Sequence, residues 1–229
     1  MFFCGSELYS YSMYTKNWVV QNSLPNKALM SFCVCKFMGK IYIMGGYDSD
    51  KPGDCTQKTA LTYDPKTDAW EEKATMNESR RHAACSVFDG KTVVSGGIDL
   101  QESRSVEVYD AFSDEWSDMP DMLERRSHHS QVSIRKNLYI IGGYYTQQCE
   151  IYDGFNQLFV RIFPDMPLFG ERHSRIQCLT IGSRIIIFKS TGLEGVAVFH
   201  VDKGEWSEVK QNMSAIKPNA ICCVKTPKL

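Results

Sequence analysis

Short apolar runs that end in two glycines recur along the chain. KIYIMGGYD (40–48), KTVVSGGID (91–99) and NLYIIGGYY (137–145) share this form, while RIIIFKSTG (184–192) keeps the apolar run without the glycines. The runs are rich in Ile, Val and Tyr and are bounded by turn residues, which predicts buried strands. Paired glycines permit positive φ and let another backbone come close. We therefore expect crowded inner strands that end at each glycine pair.

A second pattern alternates apolar and polar residues around a central turn, as in ALTYDPKTDAW and SVEVYDAFSDEW. This pattern predicts hairpins. Each of these hairpins carries two aromatic residues seven positions apart, and the pairs recur every 43 to 52 residues. A period of that length indicates propeller blades or long solenoid units. The five pairs are Tyr11/Trp18, Tyr63/Trp70, Tyr109/Trp116, Tyr152/Phe159 and Phe199/Trp206.

Arginines follow the same period in the segments that connect one unit to the next. Met76 and Met122 are followed four residues later by Arg80 and Arg126, and Arg172 continues the 46-residue step. An alternating stretch such as HAACSVFD comes after the arginine and gives each unit a further strand. Each unit then has four strands, and no segment shows a sustained helical period. The sequence therefore predicts an all-β molecule.

Together, the strand, the Gly-Gly pair, the aromatic pair and Met-x-x-x-Arg resemble the kelch repeat over nearly the whole chain. The resemblance implies a β-propeller of about five four-stranded blades. The C-terminal NAICCVK would complete the N-terminal blade and close the ring, which removes exposed edges. A six-bladed ring that lacks one blade in this chain is the alternative. The expected blades span residues 1–27 with 214–229, 28–75, 76–121, 122–168 and 169–213.

Composition limits the classes of partner. The 229 residues carry a net charge of −1, so we expect no general attraction to nucleic acid or to anionic membranes. Nine cysteines form no regular framework, which favours reduced thiols and a cytoplasmic location, with nuclear or cytoskeletal locations as alternatives. The N-terminus shows no cationic leader, and no window of 18 uninterrupted apolar residues occurs.

The candidate catalytic and metal-binding residues are better explained by their positions in the repeat than by a catalytic or metal-binding role. His82 and His128 occupy the same repeat position, and the Cys33-x-Cys35 pair has no partner at zinc-site spacing. No phosphate-binding glycine loop, HExxH or Gly-x-Ser-x-Gly motif occurs. We expect the repeated tryptophans to pack between neighbouring blades. The sequence thus predicts no enzyme, no cofactor and no metal.

The chain resembles the propellers of BTB-kelch adaptors, where the residues after Gly-Gly and the linker arginines line the partner-binding face. Convergent guanidinium groups match carboxylates in a bidentate way. The same arginines could instead satisfy carbonyls and carboxylates between blades, and the sequence leaves both interpretations open. The binding face carried over by the resemblance comprises Tyr47, Asp48, Arg80, Asp99, Arg126, Tyr144, Tyr145 and Arg172.

The resemblance implies a substrate receptor of a cullin-RING ubiquitin ligase of the cullin-three type, and hence a place in ubiquitin conjugation. The chain has no room for BTB and BACK regions, so we expect it to bind a protein substrate and to reach a cullin only through a region that it lacks. One alternative is an actin-binding or other cytoskeletal kelch protein. A more remote one is a copper enzyme of the galactose oxidase kind, which needs Tyr and His ligands and a cysteine-linked tyrosine.

Overall fold

The structure is a computed structural model that describes residues 2–4, 7–12, 14–53, 55–162, 164–167, 176–189 and 194–212. Every regular element in these ranges is a β-strand, in agreement with the all-β prediction. No helix long and apolar enough to cross a membrane occurs among these residues.

The strands form consecutive antiparallel sheets in chain order. The first sheet has three strands, β1 (Phe2–Cys4), β2 (Glu7–Ser12) and β3 (Asn17–Val20). A two-stranded ribbon of β4 (Leu29–Met30) and β7 (Tyr47–Asp48) flanks the second sheet, which comprises β5 (Cys33–Phe37), β6 (Lys40–Met44), β8 (Ala60–Asp64) and β9 (Ala69–Lys73).

The next three sheets have four strands each and neighbour one another in the order of the sequence. The third sheet comprises β10 (Ala84–Phe88), β11 (Lys91–Ser95), β12 (Val106–Asp110) and β13 (Glu115–Met119). The fourth comprises β14 (Ser130–Ile134), β15 (Asn137–Ile141), β16 (Cys149–Asp153) and β17 (Leu158–Ile162). The fifth comprises β18 (Ile176–Ile181), β19 (Arg184–Lys189), β20 (Glu194–His200) and β21 (Glu205–Asn212).

The predicted aromatic hairpins are confirmed. In all five sheets the two members of the aromatic pair lie directly opposite each other on the last two strands, for example Tyr109 opposite Trp116. Their ring centroids are 4.8 to 5.2 Å apart. The seven-residue spacing is therefore the spacing of a cross-strand contact around a tight turn.

The hydrophobic core lies between successive sheets. One buried cluster joins Tyr42 of the second sheet to Val94 and Tyr109 of the third, and another joins Val93 of the third to Ile140 of the fourth. Similar clusters join the first sheet to the second and the fourth to the fifth. Antiparallel sheets that pack face to face in sequence order, four of them with four strands and the first with three, define a β-propeller.

In two of the pairs, the backbone of the following linker passes so close to the first glycine that no Cβ atom would fit. A Cβ atom on Gly45 would lie 2.2 Å from the carbonyl oxygen of Arg80, and one on Gly96 would lie 2.4 Å from that of Arg126. Both glycines also have positive φ, of 66° and 56°. The predicted close approach of a second backbone is therefore confirmed.

Tryptophans link the second, third and fifth sheets to the sheet before each of them. The indole Nε1–H of Trp116 donates to the carbonyl oxygen of Ala74 at 2.7 Å, and Trp70 donates to Asn22 at 3.0 Å. The tyrosines of these pairs are fully buried, whereas Trp116 is half-buried. The predicted packing role is confirmed for Trp70 and Trp116, although the tyrosine is the more buried member of both pairs. Trp18 is 58% exposed and does not follow that prediction.

The predicted ring closure by residues 219–225 lies outside the described residues and stays a prediction, as do the blade limits.

Six cysteines in the described part of the chain are free thiols: Cys33, Cys35, Cys55, Cys85, Cys149 and Cys178.

Candidate functional site

Two kinds of loop meet at one end of the propeller. The strands that end in glycine pairs run toward this end, and the antiparallel inner strands of the same sheets start from it. The loops after the glycine pairs therefore lie beside the linkers that lead into each sheet. We call this surface the Gly-Gly end, formed by residues 45–53, 55–59, 76–83, 96–105, 122–129 and 142–148. The opposite surface, formed by the hairpin turns, is the hairpin end.

A chain of backbone hydrogen bonds runs from linker to linker at the Gly-Gly end. His82 N–H donates to the Ser31 carbonyl oxygen, and His128 N–H donates to that of His82, both at 2.9 Å. All three residues have left-handed φ values, between 54° and 57°. Non-glycine residues adopt this conformation rarely, and surrounding contacts must hold it in place. The equivalent linker residues are therefore fixed relative to one another.

The side chains of these histidines form an aromatic ladder. The imidazole rings of His82 and His128 stack with centroids 3.9 Å apart and planes 21° apart. Tyr144 lies 5.2 Å from His128 and makes an edge contact of 4.6 Å with Tyr145, which is 70% exposed. Of these four residues, sequence reasoning placed only the two tyrosines in the site. The identical repeat position of the two histidines was the signal that could have found them.

A second contact joins the loop of the second sheet to the next linker. The Arg81 guanidinium lies 5.5 Å from the centroid of the Tyr47 ring, and its Nη1 donates to Thr56 Oγ1 at 2.6 Å. A cation over an aromatic face is attracted by the ring quadrupole. Tyr47 thus takes part in a surface cluster at the predicted end, with Arg81 as its cationic partner.

Asp48 does not face outward. Its side chain is buried, where its carboxylate accepts a hydrogen bond from Asn26 Nδ2 at 3.0 Å and lies 3.3 Å from Lys51 Nζ. Burial alone would raise the pKa of Asp48, but the hydrogen bonds from Asn26 and from the Asp50 backbone, together with Lys51, lower it. A charged carboxylate held in this way stabilises its own loop. Its side chain is not accessible to a partner.

The loop of the third sheet presents Asp99, which is exposed as predicted, beside Leu100, which is 90% exposed. Glu102 on the same loop accepts a hydrogen bond from Ser127 Oγ at 2.5 Å, and that oxygen lies 3.0 Å from His128 Nδ1. The ladder is thereby tied to the loop of the third sheet.

The placement of Arg80 and Arg126 on an accessible face is corrected by the structure, since both side chains are buried. Arg126 Nη1 donates to the carbonyl oxygens of Gly142 at 2.6 Å and Gln148 at 2.8 Å. Its Nη2 forms an ion pair with the buried carboxylate of Glu150. The guanidinium therefore ties the linker to the fourth sheet and has no surface left for a partner.

Arg80 repeats this arrangement one unit earlier. Its Nη1 donates to the Gly96 carbonyl oxygen at 2.7 Å, and its Nη2 lies 2.6 Å from the buried Glu107 carboxylate. Glu107 and Glu150 each stand two residues before the tyrosine of their unit, a regularity visible in the sequence. The equivalent residue of the fifth sheet is Ala197, which carries no carboxylate. Arg172 lies outside the described residues.

In the linker that leads into the fourth sheet, the exposed arginine is Arg125, whose Nη1 donates to the Glu102 carbonyl oxygen at 3.1 Å. The side chains at this end can stack on flat groups and can donate hydrogen bonds. They are those of Arg81, Arg125, His82, His128, Tyr144 and Tyr145. Within the described part of the chain, no group of three or more His, Cys, Asp or Glu side chains could hold a metal ion.

Comparison with known proteins agrees with this architecture. Residues 29–77 and 79–123 match the Kelch motif. Kelch-like protein 40 of Mus musculus is 31% identical over 141 residues, which cover 61% of this chain and 22% of that protein. The F-box/kelch-repeat protein At1g16250 of Arabidopsis thaliana is 27% identical over 199 residues, which cover 82% of this chain and 52% of that protein. The chain thus spans between about a fifth and a half of these relatives.

The fold agrees with a solved structure as well. The structure of YjhT superposes with a TM-score of 0.67 at 14% identity, covering 86% of this chain and 68% of that one. The sheets, the repeated contacts and these matches define the class of the molecule as a repeat β-propeller. The chain carries Kelch motifs and folds as a kelch-repeat β-propeller.

Proposed function

We propose that the chain is the substrate-recognition propeller of a ubiquitin-ligase adaptor, and that it captures a protein at the Gly-Gly end without performing chemistry on it. The observation that carries the proposal is the joined cluster of His82, His128, Tyr144 and Tyr145. Aromatic residues and arginine are the side chains most often found as interface hot spots.

The geometry of this end supports a preorganised interface. Left-handed linker residues and their mutual hydrogen bonds fix the ladder, so that a partner need not order it on binding. Tyr145 is 70% exposed, and the cations of Arg81 and Arg125 belong to linkers at the same end. Such a surface suits a partner segment with carboxylate or other hydrogen-bond-accepting groups. The buried Arg80 and Arg126 are scaffold in this proposal.

The ligase role is supported by the names of the relatives, which include Kelch-like and F-box/kelch-repeat proteins. In this role the propeller holds the target while other parts of an assembly transfer ubiquitin. A reducing, cytoplasmic setting fits the free thiols in the described strands.

Affinity capture from cell extract with mass spectrometry tests the proposal. We compare the unchanged chain with Tyr145→Ala and with a matched control, Phe155→Ala. Phe155 is 94% exposed in a turn at the hairpin end, so both variants remove one exposed ring from opposite ends. We expect Tyr145→Ala to lose the captured target and Phe155→Ala to keep it. Loss of the captured target with Phe155→Ala but not with Tyr145→Ala would place the interface at the hairpin end and contradict the proposal.

The assigned role is tested with the captured protein. We expect its ubiquitination in cells to fall when the chain carries Tyr145→Ala. Actin as the captured protein, confirmed by co-sedimentation with filaments, would contradict the adaptor role and leave the kelch propeller as a cytoskeletal binder.

A further inference from the structure

The outer strand of the fourth sheet has an apolar face that is partly exposed. β17 has the sequence LFVRI, in which Leu158, Val160 and Ile162 alternate and so share one face of the sheet. Leu158 is 43% exposed and Val160 is 38% exposed, while Ile162 is half-buried. The rest of the molecule therefore covers this row of three apolar side chains only in part.

The outer strands of three other sheets are protected by charge at the same positions. In the second, third and fifth sheets the two residues that flank the outer tryptophan are exposed and include an acidic one: Ala69 and Glu71, Glu115 and Ser117, and Glu205 and Ser207. Each of these strands carries two acidic residues, whereas β17 carries none. β3 of the first sheet has none either, but Asn17 stands where β17 has Leu158. Charged side chains on an edge strand prevent other strands from pairing with it.

The backbone edge of β17 is open on its outer side. β17 is the last strand in the order β14-β15-β16-β17, and among the described strands it pairs with β16 alone. The backbone N–H and C=O groups along such an edge bind water or another strand. An extended strand with apolar side chains on the same face as Val160 can therefore lengthen the sheet.

We propose that β17 pairs antiparallel with β17 of a second copy of this chain, around a two-fold axis at Val160. In this register Val160 lies opposite its own equivalent in the second copy, and Leu158 lies opposite Ile162. Residues directly opposite each other in an antiparallel pair are in side-chain contact. The two apolar rows then cover each other, and the same patch serves both copies.

The charges around β17 favour a second copy as the occupant. The charged residue of β17 is Arg161, whose Nη2 donates to both carboxylate oxygens of Asp165, at 2.9 and 2.8 Å. Each copy thus brings its cation together with a carboxylate, and pairing buries no uncompensated charge. Two copies of β13 would instead bring Glu115 and Asp118 of both copies together. The net charge of −1 adds little long-range repulsion between copies.

Sedimentation equilibrium of the purified chain tests this pairing. We expect the mass to rise from that of a monomer to that of a dimer as the concentration increases from micromolar toward millimolar. Val160→Lys places two like charges opposite each other at the axis and should keep the chain monomeric. The matched control is Ser117→Lys, at the equivalent position of β13, which should dimerise as the unchanged chain does.

A charge swap tests the register itself. Val160→Glu alone should stay monomeric, whereas an equal mixture of Val160→Glu and Val160→Lys should form a dimer, because opposite charges then face each other at the axis. Urea denaturation of each variant shows whether it is folded. If the charged variants do not fold, Leu158→Ser provides the test, and it should weaken dimerisation by about tenfold.

Three results would overturn the proposal directly: an unchanged chain that is monomeric at every concentration, a dimer that persists in folded Val160→Lys, and a dimer that is lost in Ser117→Lys as well. A mixture of the two charged variants that stays monomeric would contradict the two-fold register. Assemblies larger than a dimer would contradict it too, since pairing around a two-fold axis closes after two copies.

Discussion

Arg126 and Glu150 form a buried ion pair that joins a linker to the centre of the fourth sheet. The carboxylate of Glu150 also accepts from the backbone N–H groups of Leu123, at 2.7 Å, and Glu124. One carboxylate thus neutralises the guanidinium and fixes the linker that carries it. Arg80 and Glu107 do the same in the third sheet. The path of each linker therefore depends on these pairs.

Removing Arg126 should destabilise the fold. Arg126→Ala leaves the Glu150 carboxylate buried without its partner, for which we expect a loss of about 3–5 kcal/mol in the free energy of unfolding. Arg125→Ala removes an exposed neighbour and should change stability by less than about 0.5 kcal/mol. Urea denaturation of both variants measures the difference. Equal midpoints would show that the buried pair contributes little.

The tryptophan hydrogen bond should be measurable separately from the packing of the ring. Trp116→Phe keeps a ring and removes the donor to Ala74, so we expect a loss of about 1 kcal/mol. Trp18→Phe makes the same change at the exposed first sheet and should cost less than about 0.5 kcal/mol. Equal urea midpoints for the two variants would show that the hydrogen bond from Trp116 to Ala74 does not stabilise the contact between the sheets.

Position 96 requires glycine for two reasons: a Cβ atom would clash with the neighbouring backbone, and φ is positive. Gly96→Ala places a methyl group 2.4 Å from the Arg126 carbonyl oxygen, so we expect a loss of at least about 3 kcal/mol. Gly90→Ala is the matched control, because Gly90 also has positive φ but a Cβ there meets nothing within 4 Å. Its cost should be only the conformational one, about 1–2 kcal/mol. Thermal unfolding of both variants checks this, and a milder effect at position 96 would contradict it.

His129 should make stability depend on pH. Burial, followed by the charges of Arg126, His128 and Arg80, holds its pKa well below the usual range, and its Nε2 lies 2.8 Å from Ser95 Oγ. A depressed folded-state pKa gives stability that is complete above about pH 6.5 and is lost as pH falls, because only the unfolded chain takes up the proton.

Between pH 7 and pH 5.5 we expect His129 to account for a loss of about 1 kcal/mol. His129→Gln should remove that part of the decrease in urea midpoint. An unchanged pH dependence in His129→Gln would show that the buried imidazole is not responsible.

Much of the scaffold could be predicted because its signals are local. The seven-residue spacing of Tyr109 and Trp116 is a cross-strand contact, and Gly96 marks a crowded crossing. Local signals could not decide the role of Arg126. An arginine that recurs with the repeat is consistent with a ring of surface arginines and equally with a buried ion pair. Deciding between them required its partner, Glu150, which is distant in sequence and was not singled out.

The site was predicted only in part for a similar reason. Tyr145 and Asp99 are exposed at the expected end, but Asp48 turns inward to Asn26, a contact set by the three-dimensional path of two loops. The stacking of His82 on His128 depends on left-handed linker residues. Such a conformation is not encoded by residue type when the residue is a histidine.

Hydrogen–deuterium exchange of the chain with and without its captured partner tests the central claim most directly. We predict that binding slows exchange in residues 45–53, 55–59, 96–105 and 142–148, while the hairpin turns at 65–68, 111–114 and 154–157 exchange as before. Tyr145→Ala should abolish that protection. Protection confined to the hairpin turns would contradict the assignment of the Gly-Gly end as the binding surface.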